Sequence, residues 1–219
     1  MPVSTRILAM SDLNWTARGT NVQKLSELVD HVKPDLVLLA GDTVDNDKGK
    51  TQAKCPTCWQ ELGKFLDWLE ESKIQCYVVR GNWDEKQDYT DLMQRPYTYI
   101  EEISQRQVEF RGIKILGIPH SASTTKADLH AALQRHPDPV DILLTHADGT
   151  RRMMLFEHPA RLIITGHYDE KVSIVRNRAF ISFSQFPNQY AVIDYSPDDL
   201  YISYLYNERF RVQPEDTFY

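Results

Sequence analysis

The stretch Asp35-Leu36-Val37-Leu38-Leu39-Ala40-Gly41-Asp42-Thr43-Val44-Asp45 decides the fold. An unbroken apolar run that stops at once on glycine and aspartate reads as a strand buried on both faces, as in a parallel sheet. Its exit carries carboxylates. Working upstream, residues 21–32 place Val22, Leu25, Leu28, Val29 and Val32 on one helical face, and Pro34 closes that helix. Before it, residues 6–10 form another short apolar strand that runs into Ser11-Asp12. Downstream, a polar insertion at 46–54 precedes a helix near 59–71, with Leu62, Phe65, Leu66 and Leu69, and a strand at 75–79. The order is β-α-β-α-β. Right-handed crossovers bring the carboxyl ends of such strands to one edge.

The second half is richer in strands. Residues 108–110 and 114–118 flank Arg111-Gly112, a hairpin signal. Residues 127–135 read as a helix, and 142–145 and 162–165 as short buried strands. Residues 172–175, 179–183, 190–194 and 201–206 read as an antiparallel meander. With no repeat, low-complexity tract or linker, one domain over residues 1–219, built on two sheets, is the economical reading.

Composition narrows the function. The chain has 219 residues, 42% of them hydrophobic and 26% charged, as in ordinary globular proteins. A formal net charge of −6 argues against bulk nucleic-acid binding through the overall field. No apolar run approaches the length that spans a bilayer, so no membrane partner is expected. The first ten residues lack the apolar core of a signal peptide, and the three cysteines have no secretory context; a reduced, cytoplasmic compartment is expected.

One event recurs at the strand ends: the apolar run stops and a metal-competent side chain follows. The segments are Ser11-Asp12-Leu13-Asn14, Gly41-Asp42-Thr43-Val44-Asp45, Gly81-Asn82-Trp83-Asp84, Thr145-His146 and Gly166-His167-Tyr168-Asp169. Carboxylate, amide oxygen and imidazole together suit divalent ions such as Mn, Fe, Zn or Mg. Any single Gly-Asp after a strand is usually just a turn; five such exits point to a metal site.

These segments resemble the calcineurin-like metallophosphoesterases, whose pattern is D-x-H, G-D-x-x-D, G-N-H-D, an isolated His and G-H-x-H. Order and strand context agree from about residue 5 to 170. The resemblance implies an α+β fold, a four-layer α/β/β/α sandwich of two mixed sheets flanked by helices. It also implies hydrolysis of a phosphate ester, a small phosphodiester first, by a metal-activated hydroxide at a dinuclear site. Asp42 would bridge two divalent ions. Asp12, Asn14 and Asp169 would complete one site, and Asn82, His146 and His167 the other.

Three departures set this chain apart. Asn14 and Asp169 stand where the family has metal-binding histidines, making the first site all oxygen and favouring Mn over Mg, Fe or Zn. Trp83 stands where the family has a histidine that helps protonate the leaving group. Such an acid is commonly worth about 10²–10⁴ in rate, so a weakened activity is expected. Small phosphodiesterases of the superfamily carry Cys there, in a context like Val79-Arg80-Gly81-Asn82-Trp83-Asp84. A scaffold subunit sharing the fold also lacks that histidine. The alternative is therefore a catalytically degenerate scaffold or regulatory protein.

Other residues carry two readings. Asp45 and Asp84 are ligand candidates by type, but loop capping and orientation of a neighbour suit them better; Asp84 is kept with Asn82 and His120 among the catalytic candidates. His120 sits just past a strand and is a candidate replacement for the missing acid; a solvated loop histidine is the more ordinary reading. Trp15 and Trp83, in motif loops, are candidates to stack on a small phosphorylated substrate, and Arg151 to clamp its phosphate. His31, His130, His136 and His158 read as surface residues. Cys55 and Cys58 have the spacing of half a zinc knuckle or of a redox pair, and no second pair exists to complete a zinc site. Cys76 falls in a core strand.

Overall fold

Alternating apolar side chains with nowhere polar to face demand a cover on each side of a sheet, and the chain supplies both. The computed structural model describes residues 4–13, 22–44, 56–84, 87–120, 126–146, 158–167, 171–175, 178–182, 190–196, 198–204 and 208–211. The first half gives β1 (Thr5–Met10), α1 (Val22–Val32), β2 (Leu36–Ala40), α2 (Pro56–Glu71) and β3 (Gln75–Val79), followed by α3 (Gln87–Met93) and β4 (Ile100–Glu102). Then come β5 (Arg106–Phe110), β6 (Ile113–Ile118), α4 (Lys126–Gln134), β7 (Ile142–Thr145) and β8 (Leu162–Thr165). The chain continues as β9 (Lys171–Val175), β10 (Arg178–Ser182), β11 (Ala191–Tyr195), β12 (Leu200–Tyr204) and β13 (Glu208–Arg211).

Two mixed sheets result. The first runs β13-β12-β11-β1-β2-β3-β4 and the second β5-β6-β7-β8-β10-β9. In the first, β1, β2 and β3 are parallel neighbours, with Met10 beside Leu39 and Ala40 beside Val79. In the second, β6, β7 and β8 are parallel neighbours, with Ile118 beside Thr145 and Leu144 beside Ile164. Side chains alternate across each strand, so one strand serves two cores. Ile7, Ala9, Leu38, Ala40 and Val79 face Ile115, Leu144, Ile164 and Ile181 between the sheets. Leu8, Met10, Val37, Leu39 and Val78 pack under Leu25, Val29, Leu62, Phe65 and Leu69 of α1 and α2. Leu116, Leu143, Ile163 and Phe180 pack under Leu129 and Leu133 of α4. This is the α/β/β/α sandwich expected.

Local signals explain the boundaries. Helix α1 ends where Lys33 turns left-handed (φ 51°) and its N–H donates to Val29 O at 2.7 Å, with Pro34 barring continuation. Arg111 and Gly112 both have positive φ, 50° and 82°, as a two-residue hairpin requires.

Several expectations need correction. The terminal meander is split: β9 and β10 join the second sheet, with β10 parallel to β8, whereas β11, β12 and β13 extend the first. Helix α3 and strands β4 and β13 were not expected, and α2 begins earlier than residue 59. His158 is not a surface residue: it is 4% exposed, with Nε2 against His136 O at 2.8 Å. Cys76 is a buried free thiol in β3, as expected. Cys58 is buried and disulfide-bonded, and Cys55 lies outside the described residues with the 46–54 insertion. Among the described residues, no helix is long and apolar enough to cross a membrane.

Candidate metal centre

Because β1, β2 and β3 are parallel and in register, their exits emerge side by side; β6, β7 and β8 do the same across the interface. The first sheet delivers Asp12, Asp42 and Asn82-Trp83-Asp84. The second delivers His120, His146 and His167, each one or two residues beyond its strand. Oxygen donors come from one sheet and imidazoles from the other.

Among the described residues, Asp42, His146 and His167 form a group whose candidate ligand atoms all lie within 4.8 Å of one another. His146 Nε2 is 3.1 Å from Asp42 Oδ2 and 3.3 Å from His167 Nδ1. The other nitrogen of His146, Nδ1, lies 2.6 Å from Ala40 O. A carbonyl only accepts, so Nδ1 carries the proton and Nε2 is left for an ion. Asp42 Oδ1 accepts from Trp83 N at 2.9 Å. Asn82 Oδ1 is buried without a hydrogen-bond partner among the described residues. An orphaned amide oxygen in the loop wrapped around Asp42 is costly unless something electropositive meets it. The donor set Asp42, His146 and His167 fits a divalent ion, and the buried Asn82 oxygen in the adjoining loop is of the type to join it.

Asp12 is buried beside this group. Its N–H donates to Gly41 O at 3.0 Å, and its Oδ2 accepts from Ser11 Oγ at 2.7 Å and His167 N at 3.0 Å. These contacts orient the carboxylate from both sheets at once. Asp12, Asp42 and His167 all have left-handed backbone, φ 50°, 49° and 94°. Non-glycine residues seldom adopt this, and such strain gathers at functional sites. Gly166 is a close-approach position: a Cβ there would lie 1.9 Å from Ser11 Oγ, 2.5 Å from Asp12 Oδ2 and 2.7 Å from His146 Nδ1.

Without an ion the charges sit poorly. Burial raises Asp12 to about 6, against the opposing pull of His146. Burial would lower His146, but Asp12 and Asp42 outweigh it and raise it to about 9. Burial and the Asp42 charge likewise raise Asp84 to about 6. A protonated imidazole thus stands in as the counter-charge that a cation would supply.

The structure brings Asp12, Asp42, His146 and His167 together, and Asn82 lies between Gly81 and Trp83, whose backbones meet Asp42. Asp84 is buried with both oxygens engaged: Oδ1 accepts from Thr43 N at 3.0 Å and Thr43 Oγ1 at 2.8 Å, and Oδ2 from Gly81 N at 2.9 Å. It ties the Asp42 loop to the Asn82 loop, the orienting role the sequence suggested. Trp83 is partly buried and holds Asp42 through its backbone. His120 departs from its more ordinary reading: it is 5% exposed, not solvated, with its ring centroid 5.3 Å from that of His167. Asn14, Trp15, Asp45, Arg151 and Asp169 lie outside the described residues. Two residues were missed. Ser11 and Thr43 orient Asp12 and Asp84, and the only hint was a hydroxyl adjacent to each motif aspartate.

A family model described as calcineurin-like phosphoesterase matches residues 5–169. Among solved structures, the fold is similar to TT1561 of Thermus thermophilus, with 15% identity, 96% of this chain and 100% of that chain covered, and TM-score 0.65. It is also similar to an archaeal phosphodiesterase, with 13% identity, 94% and 98% coverage, and TM-score 0.50. No curated protein matches by sequence.

Proposed function

Because the chain belongs to the calcineurin-like phosphoesterase family, we propose that it hydrolyses a phosphate ester, a small phosphodiester first, at a centre of two divalent ions. The observation that carries this is the Asp42, His146 and His167 cluster, with an unpartnered Asn82 Oδ1 in the loop that meets Asp42. A scaffold has no need to bury an unsatisfied amide oxygen and strained carboxylates at one sheet edge.

When bound, the ions would polarise the phosphoryl oxygens and lower the pKa of water so that it attacks at neutral pH. Asp42 would touch both ions; Asn82, His146 and His167 would complete one, and Asp12, Asn14 and Asp169 the other. Ala40 O fixes the proton on His146 Nδ1 and keeps Nε2 available. Asp84 holds the Thr43 and Gly81 amides so that Asp42 and Asn82 keep their spacing. Trp15, Trp83 and Arg151 are proposed to line the substrate mouth. The all-oxygen first site favours manganese.

With tryptophan at position 83, esters with good leaving groups should be turned over best, since they need least protonation. The test is hydrolysis of bis(p-nitrophenyl) phosphate and of p-nitrophenyl phosphate by protein loaded in turn with Mn, Mg, Zn, Co and Fe. Turnover is expected with the diester, strongest in Mn. No turnover above buffer with any ion would favour the degenerate scaffold that binds a partner.

A further inference from the structure

We propose that His120 is a substrate-contacting residue, the third imidazole of the centre, which donates a ring N–H to a phosphoryl oxygen of the ester. This rests on the phosphoester reading above and deepens it. Three adjacent parallel strands, β6, β7 and β8, are each followed within two residues by a histidine: His120, His146 and His167. His146 and His167 belong to the compact cluster with Asp42, and His120 lies outside it. Yet the His120 ring packs edge-on against His167, with centroids 5.3 Å apart and planes at 70°, and stands 6.2 Å from His146.

Its position is built. The His120 N–H donates to Arg80 O at 3.0 Å, locking the exit of β6 to the exit of β3 just before Gly81 and Asn82. The residue therefore spans the two sheets on the side of the centre where the Asn82 loop leaves. Only 5% of it is exposed, although histidine has a polar ring that solvent readily accommodates. A neutral imidazole always carries one N–H, so the contact needs no change of protonation. Beside an ion held by Asp42, His146 and His167, the ring packed against His167 is the one to meet an anion which that ion binds. For a phosphate ester, that anion presents oxygens requiring donors.

The test uses the full chain loaded with metal and inorganic phosphate as the probe. Metal content and phosphate affinity are measured by elemental analysis and calorimetry for wild type, His120→Phe and His120→Gln. Phenylalanine preserves the edge-on packing and removes the donor; glutamine keeps an N–H donor. The expected result is wild-type metal content in both variants. Phosphate binding should be about ten- to hundredfold weaker in His120→Phe, the range for a hydrogen bond to a charged group, and largely restored in His120→Gln. Metal loss from His120→Phe would make His120 a ligand and overturn the proposal. So would unchanged phosphate affinity, which would reduce it to packing.

Should His120→Phe fail to fold, the wild type answers directly. With zinc or magnesium bound, the His120 ring ¹H–¹⁵N resonance should shift on adding phosphate, and an unmoved resonance overturns the contact. The two readings fail separately. Phosphate binding that depends on His120, without turnover of any ester, defeats the hydrolase and leaves the contact standing. Turnover and phosphate affinity indifferent to His120 do the reverse. Absence of phosphate binding in metal-loaded wild type overturns the contact whatever the turnover.

Discussion

Adding one methyl group at Gly166 should dismantle the metal centre more effectively than its size suggests. The new Cβ would fall 1.9 Å from Ser11 Oγ, 2.5 Å from Asp12 Oδ2 and 2.7 Å from His146 Nδ1, where ordinary contact begins near 3.4 Å. The shortfall is about 1.5 Å at Ser11. That hydroxyl can rotate away, but only by giving up its 2.7 Å bond to Asp12 Oδ2. Asp12 and His146 cannot yield so easily, because His167 N and Ala40 O hold them. Overpacking of this kind costs about 1–3 kcal/mol, and the lost hydrogen bond adds about 1 kcal/mol. At about 2–4 °C per kcal/mol for a chain of this length, Gly166→Ala should lower the melting temperature by roughly 4–16 °C. Displaced orienting contacts should also weaken metal binding by about 10–100-fold. Gly112→Ala is the control: its φ of +82° makes a side chain strained, but nothing lies within 4 Å. It should cost about 1–2 kcal/mol and leave metal affinity alone. Thermal melts with chelator and calorimetric metal titrations read both effects. Wild-type melting and metal affinity in Gly166→Ala would refute the packing argument, as would equal metal loss in the control.

Further expectations concern charge and metal. In metal-free protein, Asp12 and Asp84 are raised from 3.8 to about 6 and His146 from 6.5 to about 9. Raised groups stabilise the fold below their ordinary values and lose that contribution as pH climbs through the raised ones. The midpoint in chelator should therefore fall between pH 4 and 6 from the carboxylates and between 6.5 and 9 from the imidazole. His158, lowered by burial, acts oppositely below pH 6.5. A midpoint that rises from pH 7 to 9 in chelator would contradict the assignment. Asp42→Asn should lose more metal than any other single ligand change, because it alone is assigned to both ions; full retention by elemental analysis would remove its bridging role. Asn14→His with Asp169→His should shift competitive metal loading from Mn or Mg towards Zn or Fe, and unchanged selectivity would count against a first site tuned for a harder ion.

Much of the fold and centre was legible in the chain. Strands β1, β2, β3, β7 and β8 announce themselves because a buried parallel strand must be continuously apolar, and that is a local property. Asp12, Asp42, Asn82, His146 and His167 could be picked out for the same reason: each follows directly where such a run stops. Helices α1 and α2 were visible in their apolar spacing, with Pro34 marking an end. Their boundaries, and the short α3 and β4, were less so, since short elements depend on neighbours more than on their own residues.

Other features belong to the tertiary structure alone. Strand alternation at residues 171–206 says that one face is covered but not by which sheet, so the division of β9 and β10 from β11, β12 and β13 needed long-range pairing. A carboxylate in a loop can bind an ion or cap amides, and only the three donors converging on Asp84 decide that it caps. The burial of His158 against His136 O follows from contacts between segments distant in sequence. His120 is the sharpest case. One histidine after a proline reads as solvated, and no local pattern distinguishes it; its ring becomes part of the centre because β6 lies next to β7 and its backbone is bonded to the end of β3. Residue type and local spacing determine which side chains can bind a metal, whereas the pairing of strands from two sheets determines which of them meet.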